Sequence, residues 1–461
     1  MTTLSPARVA ALDRLARQAA RFPDLEFVDS SAAPLADGAR LDARDVALSR
    51  AIEHAVVRRW LTLVGVCRAC IDRRWDNVDS RIQAALLAGA AQLLLFGHQA
   101  DHAVVDDTVE WTKRKGRSGA PGFVNAVLRR IAALRGDVLP ADHPHAQPEA
   151  WRDRQDLLPL EDGRVLQLTR AVFSADPVER LSQLTSHSEE LLLHWMNSAG
   201  RDTTFARAVH GLMNAPTVLA SVPHEALAAG SPFAALLQPH ADAGFMAWSG
   251  THAQLLELLA AHPSARVQDA GSGQPVRLAA GLRPQLVLDA CAGRGTKTRQ
   301  LAETFPDAEI VATDTDGVRL RSLAEAFVNH PRVKVTTPEG LRRVIGKCDL
   351  LLLDVPCSNT GVLARRPEAR YRFNRSRLDG LVQLQRTILR EHTPFLSPTG
   401  RVLFSTCSLE QAEDERQAEW AAKHLRGRVE RMERREPRGM PGSPATGYSD
   451  GSFGVLLAPP A

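Results

Sequence analysis

At 461 residues the chain is long enough for two to four domains of roughly 100–200 residues each. Its 44% hydrophobic and 24% charged residues exclude a wholly disordered chain, and the lack of a long uninterrupted apolar run excludes a spanning helix. A net charge of +4 permits nucleic-acid contact but is far from that of a polycation.

The N-terminus acquires charge at Asp13, Arg14 and Arg17 without an apolar core, so no secretory leader is expected and the reading is cytoplasmic. In that compartment Cys67, Cys70, Cys291, Cys348, Cys357 and Cys407 stay thiols. To about residue 135 the chain reads as all helix. Ile82, Leu86, Ala90, Leu93 and Leu94 step along one helical face, and Pro121-Gly122 opens a second helix ending in Arg129-Arg130. Between them, Lys113–Arg117 reads as a basic loop. Pro140, Pro144, Pro148 and Pro159 then give the composition of a linker. The expected organisation is a helical domain over 1–140, a linker over 141–175, a small mixed α+β connector over 176–265 and an α/β domain over 266–461. Within the connector, Asp176 is placed to cap a helix from Pro177, and another helix is expected over 189–198.

From Leu286 onward, short apolar runs alternate with helical segments: Leu286–Leu288, Ile310–Ala312, Leu350–Leu353 and Val402–Phe404. Continuous apolar strands separated by helices predict a mainly parallel, doubly wound sheet covered on both faces. The first strand runs into Asp289-Ala290-Cys291-Ala292-Gly293-Arg294-Gly295-Thr296-Lys297-Thr298, a turn that lets a ligand approach backbone at a helix N-terminus. The second ends at Asp314, where such folds place a ribose-binding carboxylate. Asp316 reads instead as a helix cap. Neither Gly-x-Gly-x-x-Gly nor a phosphate-loop lysine is present. These features point to a nucleoside ligand without a pyrophosphate, of which S-adenosylmethionine is the commonest.

Two cysteines follow strands of the same sheet, Cys357 in Asp354-Val355-Pro356-Cys357-Ser358-Asn359-Thr360-Gly361 and Cys407 in Ser405-Thr406-Cys407-Ser408. Pyrimidine chemistry supplies a reason for two thiols on the ligand edge. Carbon 5 of cytosine attacks a methyl sulfonium only after a soft nucleophile has added at carbon 6. The carbon 5 proton must then leave and the sulfur be expelled, which calls for a second positioned group. Asp354 is placed to stabilise the adduct from the ring N3 side.

These segments resemble the RNA cytosine-5 methyltransferases of the Sun type, whose motifs read approximately D-x-C-A-A-P-G-G-K-T, D-A-P-C-S-G-T-G and S-T-C-S. The stretches His102–Val105 and Gly122–Arg130 resemble the NusB-like RNA-binding domain of the bacterial ribosomal RNA small-subunit methyltransferase B class. Val267–Asp269 and Asp450–Phe453 match further landmarks. The resemblance implies an all-α NusB-like domain followed by a Rossmann-like methyltransferase domain. It makes Cys407 the nucleophile and Cys357 the cysteine that assists product release. Cofactor contacts fall on Cys291, Ala292, Gly293, Arg294, Gly295, Thr296, Lys297, Asp314, Glu339 and Asp354.

Departures from the family pattern are Gly293-Arg294-Gly295-Thr296 for A-P-G-G, and Val355 and Asn359 for Ala and Gly. A strained Thr296 would weaken cofactor binding, so an alternative is a degenerate RNA-binding protein that keeps the fold. A third reading, a DNA methyltransferase, would make Cys357 the nucleophile. Arg365, Arg366, Arg370 and Arg372, interleaved with Tyr371 and Phe373, are expected to hold RNA backbone. The mixed-charge run from Lys423 to Arg438 reads as a solvated face. Cys67 and Cys70 read as buried residues and no metal is expected. His102 reads as structural or RNA-facing, and the protein as a monomer acting on ribosomal RNA.

Overall fold

The computed structural model describes residues 4–26, 41–97, 101–115 and 118–459. These form two compact units. The first holds the chain up to Asn214 together with Leu363–Phe373 and Met440–Gly442, and the second holds Ala215–Val362, Asn374–Gly439 and the chain from Ser443.

The first unit begins with helices Pro6–Ala19, Ala43–Arg58, Trp60–Arg68, Ser80–Leu95, Asp101–Lys115 and Ala120–Ala132. Asp79 caps the fourth, accepting the Arg81 N–H at 3.0 Å. Every residue of that helix from Ala84 to Leu94 is buried. It is therefore a central helix rather than the one-faced one its periodicity predicts. Gly89 lets Leu128 approach, since a Cβ there would lie 2.5 Å from the leucine side chain. Lys113–Lys115 form the last turn of their helix rather than a loop, with Lys113 donating to Glu110 at 2.9 Å; Gly116 and Arg117 lie outside the described residues. Cys67 and Cys70 are buried, and burial pushes both thiols up.

Two expectations about the middle of the chain are corrected. The proline-rich stretch is an ordered three-stranded antiparallel sheet of β1 (Arg135–Leu139), β2 (Leu157–Pro159) and β3 (Val165–Leu168), in the order β1-β3-β2. Pro159 is accommodated because β2 is an edge strand, and Leu157, Leu158, Val165 and Leu166 supply buried apolar contacts. Nor does 176–265 form one subdomain. Helices Pro177–Thr185, Glu189–Ala199 and Arg201–Gly211 belong to the first unit. Asp176 caps the first of them, accepting from Val178 and Glu179. The remainder, in the second unit, is a four-stranded antiparallel sheet of β4 (Val218–Ala220), β5 (Leu237–Pro239), β6 (Phe245–Trp248) and β7 (Arg266–Val267), ordered β5-β6-β4-β7.

The second unit's main sheet contains β8 (Leu286–Asp289), β9 (Glu309–Ala312), β10 (Val333–Val335), β11 (Cys348–Asp354), β12 (Leu396–Thr406), β13 (Arg428–Arg435) and β14 (Ser452–Ala458). Their order is β10-β9-β8-β11-β12-β14-β13. The first five are parallel, while β14 runs antiparallel to β12, and β13 to β14. Buried leucines alternate between the two faces of β11, so helices can cover both. The chain winds outward from β8 through β9 to β10, then returns to β11 on the other side. The strand order thus reverses between β8 and β11, and the crevice beyond their carboxyl ends is where open α/β sheets bind ligands. The basic edge strand β13 is ion-paired, with Arg434 on Asp414 and Glu415 and Arg435 on Asp242.

Candidate active site

Asp289 closes β8, and the turn after it is tied to the end of β9. Ala292 N–H donates to Thr313 O at 2.9 Å and Gly293 N–H to Asp314 Oδ2 at 2.8 Å. Asp316 caps helix Gly317–Phe327, as its position predicts. The turn needs its glycines. Gly293 and Gly295 have φ of +57° and +89°, and a Cβ on Gly295 would lie 2.5 Å from the Phe327 ring. Thr296, by contrast, is the first residue of helix Thr296–Thr304 and does not have positive φ. The strain expected from losing a glycine there is absent. Arg294 is exposed and Cys291 half-buried, and burial pushes the Cys291 thiol up. Glu339 is also exposed, at the start of a short helix after β10.

Sequence reasoning missed Asp289, whose only signal is a carboxylate ending an apolar strand. It is fully buried. Oδ2 accepts from Thr298 Oγ1 at 2.7 Å, while Oδ1 has no hydrogen-bond partner. Burial raises its carboxyl to about 7. An unsatisfied acceptor beside a glycine turn and a helix N-terminus fits an amino acid moiety, with its ammonium on Asp289 and its carboxylate on the turn. The sign of the linkage follows. The unfolded carboxyl ionises near 4, so the stability contributed by the protonated folded form is full below that and is lost as pH rises through about 7. Seating a cation at Oδ1 should therefore release roughly half a proton near pH 7. Calorimetry of S-adenosylmethionine binding in buffers of different ionisation heat is expected to show this release in the wild type and none in Asp289→Asn.

β11 and β12 lie side by side, with Asp354 paired to Ser405 in the register. Asp354 Oδ1 accepts from Ser405 Oγ at 2.7 Å, and Oδ2 from Lys297 Nζ at 2.8 Å. The lysine, expected from resemblance to contact cofactor, is thus the partner of the candidate catalytic carboxylate. Burial acts against its charge, but the Asp354 pair outweighs this and holds the ammonium above its ordinary range. Beyond the same strand ends, Cys357 Sγ and Cys407 Sγ are 3.3 Å apart. The hydrogen bond with Cys407, then burial, pushes the Cys357 thiol well up. Cys357 is buried and Cys407 half-buried, so Cys407 is the more exposed of the two sulfurs.

A second missed residue, Glu413, holds the two cysteine turns together. Its carboxylate accepts from the Ser358 N–H at 3.0 Å, the Ser408 hydroxyl at 2.6 Å and Gln385 Nε2 at 2.9 Å. Gly361 adds a backbone tie, donating to Cys407 O at 2.9 Å and accepting from Gly451 N–H at 2.8 Å. A Cβ on Gly361 would lie 2.7 Å from Cys407 O. The sequence landmarks at Asp269 and Asp450 also meet here, the Asp450 N–H donating to Asp269 Oδ1 at 2.9 Å.

The arginine segment behaves differently from its sequence reading. Arg370 is 1% exposed. Its guanidinium donates to the carbonyls of Arg58 at 2.9 Å and Leu363 at 3.1 Å, and also to that of Gly211. Burial brings it down to about 10. It is an internal tie of the first unit, not an RNA contact, because it is buried with both terminal nitrogens on backbone carbonyls. Arg372 is half-buried and bonded to Leu25 O. Arg366 is exposed and paired with Glu368 at 2.8 Å, and Arg365 is half-buried. Among the described residues no cluster could hold a metal ion, and no helix is long and apolar enough to cross a membrane.

Comparison with known proteins agrees with this geometry. The family described as 16S rRNA methyltransferase RsmB/F matches residues 279–442, and the NusB family matches residues 5–133. A ribosomal RNA small subunit methyltransferase B of Xanthomonas campestris is 29% identical over 404 residues, 82% of this chain and 79% of that protein. A Mycobacterium tuberculosis protein named as a methyltransferase is 30% identical over 438 residues, 89% of this chain and 85% of that protein. The crystal structure of PH0851 shares the fold at a TM-score of 0.66 and 15% identity, covering 97% of this chain and 98% of that one. With the paired cysteines, the glycine turn and these matches in hand, the chain belongs to the RsmB/F family and is an S-adenosylmethionine-dependent RNA methyltransferase.

Proposed function

We propose that the protein methylates carbon 5 of a cytidine in small-subunit ribosomal RNA through a covalent adduct on Cys407. The observation that carries this reading is the pair of sulfurs 3.3 Å apart at neighbouring strand ends, beside the Lys297–Asp354 ion pair. The target base must leave its stack to expose the carbon 6 face. Cys407 Sγ then adds at carbon 6 and makes carbon 5 nucleophilic. Asp354 already accepts from two donors, so any proton reaching N3 comes from the Lys297–Asp354 pair rather than from a free carboxylic acid. After transfer, the carbon 6–sulfur bond breaks with its electron pair returning to Cys407 Sγ, and Cys357, 3.3 Å away, assists by passing its proton to that sulfur as it takes up the carbon 5 proton. Bound S-adenosylmethionine supplies an electrophilic methyl on a sulfonium. Asp289, the turn Cys291–Gly295 with Thr296 and Lys297, Asp314 and Glu339 would hold it.

The helical region through Ala132 contributes RNA binding, and Arg365 and Arg366 are the members of the arginine segment that contact RNA backbone. The protein acts as a monomer in the cytoplasm. The degenerate-module alternative loses its main support, because the first turn keeps Gly295 left-handed and leaves Thr296 unstrained. Nucleoside mass spectrometry of ribosomal RNA from cells with and without the gene, followed by bisulfite mapping, is expected to show loss of 5-methylcytidine at one small-subunit site. Unchanged modification would refute the proposed function.

A further inference from the structure

Asn359 is the one position in the Cys357 turn whose backbone and side chain are both unusual for their place. Its φ is +61°, in the left-handed region that asparagine, aspartate and glycine tolerate best. Its amide bridges the two cysteine segments. Nδ2 donates to Cys357 O at 2.9 Å, which turns Oδ1 toward Cys407 Sγ at 3.3 Å. The carbonyl of Cys357 can only accept, so the amide orientation is fixed and Cys407 faces an acceptor. An acceptor bonds the S–H form and offers nothing to a thiolate. Gly361, two residues on, is bonded to Cys407 O and keeps the turn in register with the sulfur.

We propose that Asn359 is a positioning residue for the reacting thiol: it orients Cys407 Sγ and holds its proton before RNA arrives, and so sets the pH at which the nucleophile becomes available. This rests on reading Cys407 as the nucleophile. The groups around the sulfur are the Cys357 thiol at 3.3 Å, the Lys297 ammonium, Asp354 paired to that ammonium, and Glu413, which ties both turns. None of them changes in the variants that test the idea.

Asn359→Gly removes the acceptor and suits the left-handed backbone, whereas Asn359→Asp keeps the shape and puts a negative charge against the sulfur. The test is the rate of iodoacetamide alkylation of the full-length protein from pH 6 to 10, with Cys407 and Cys357 modification separated by peptide mass spectrometry. At pH 7.5 Cys407 of Asn359→Gly is expected to react about threefold faster than wild type, and that of Asn359→Asp about tenfold slower. The rate–pH midpoints should fall in the order Gly, Asn, Asp. Coincident profiles for the three proteins, or the reverse order, would overturn the proposal. If one variant fails to fold, the other still gives a signed answer against wild type. The assay uses no RNA, so its failure is distinct from that of the catalytic reading, which shows as methylation surviving Cys407→Ala.

Discussion

Cys407→Ala is expected to abolish methylation, with a loss on the order of 10⁴-fold or more, because it removes the sulfur proposed to add to carbon 6. Cys357→Ala should behave differently. The first methyl transfer should proceed, and release should fail, so that a protein–RNA adduct stable to denaturing electrophoresis accumulates. The distinction follows from the proposed roles, in which Cys407, the more exposed member of the 3.3 Å pair, adds to the base and the buried Cys357 assists release. Complementation of the deletion strain by each variant, read by bisulfite mapping and by gel, checks both. An active Cys407→Ala with an inactive, adduct-free Cys357→Ala would exchange the two roles.

Arg370→Ala is expected to cost about 3–5 kcal/mol of stability, since it leaves buried carbonyls of Arg58, Gly211 and Leu363 without a donor and opens a cavity. Urea denaturation measures the loss. RNA affinity of the protein that remains folded should be unchanged. Arg366→Ala, on an exposed side chain, should weaken RNA binding and cost less stability, about 1–2 kcal/mol, for the donor that the buried Glu368 carboxylate loses. A stable Arg370→Ala with impaired RNA binding would restore the surface reading of that arginine.

The two arginines show where sequence stops being informative. Clustered basic residues with interleaved aromatics have the composition of an RNA-facing strip, and nothing local separates Arg366 from Arg370. What separates them is three carbonyls contributed from residues 58, 211 and 363, a set assembled only by the fold. The catalytic edge was legible because each of its residues follows directly from a strand: Asp354 and Cys357 after four leucines, Cys407 after Val402–Phe404, and Asp314 after Ile310–Ala312. Asp289 and Glu413 were not, since a carboxylate's importance there lies in being buried. The prolines of 140–159 suggested a linker for want of any view of their pairing partner, β3.

The placement of Leu363–Phe373 in the first unit has a consequence for how this protein can be taken apart. Tyr371 in that segment is buried, donating to Val57 O at 2.7 Å and hydrogen-bonded to Ser186 at 2.9 Å. A gene cut after Asn214 would thus encode a helical body missing an internal piece of its own core, and the remaining gene would carry that piece with nothing to fill. Segments of the two units thus alternate along the sequence, and no single cut in the gene separates them.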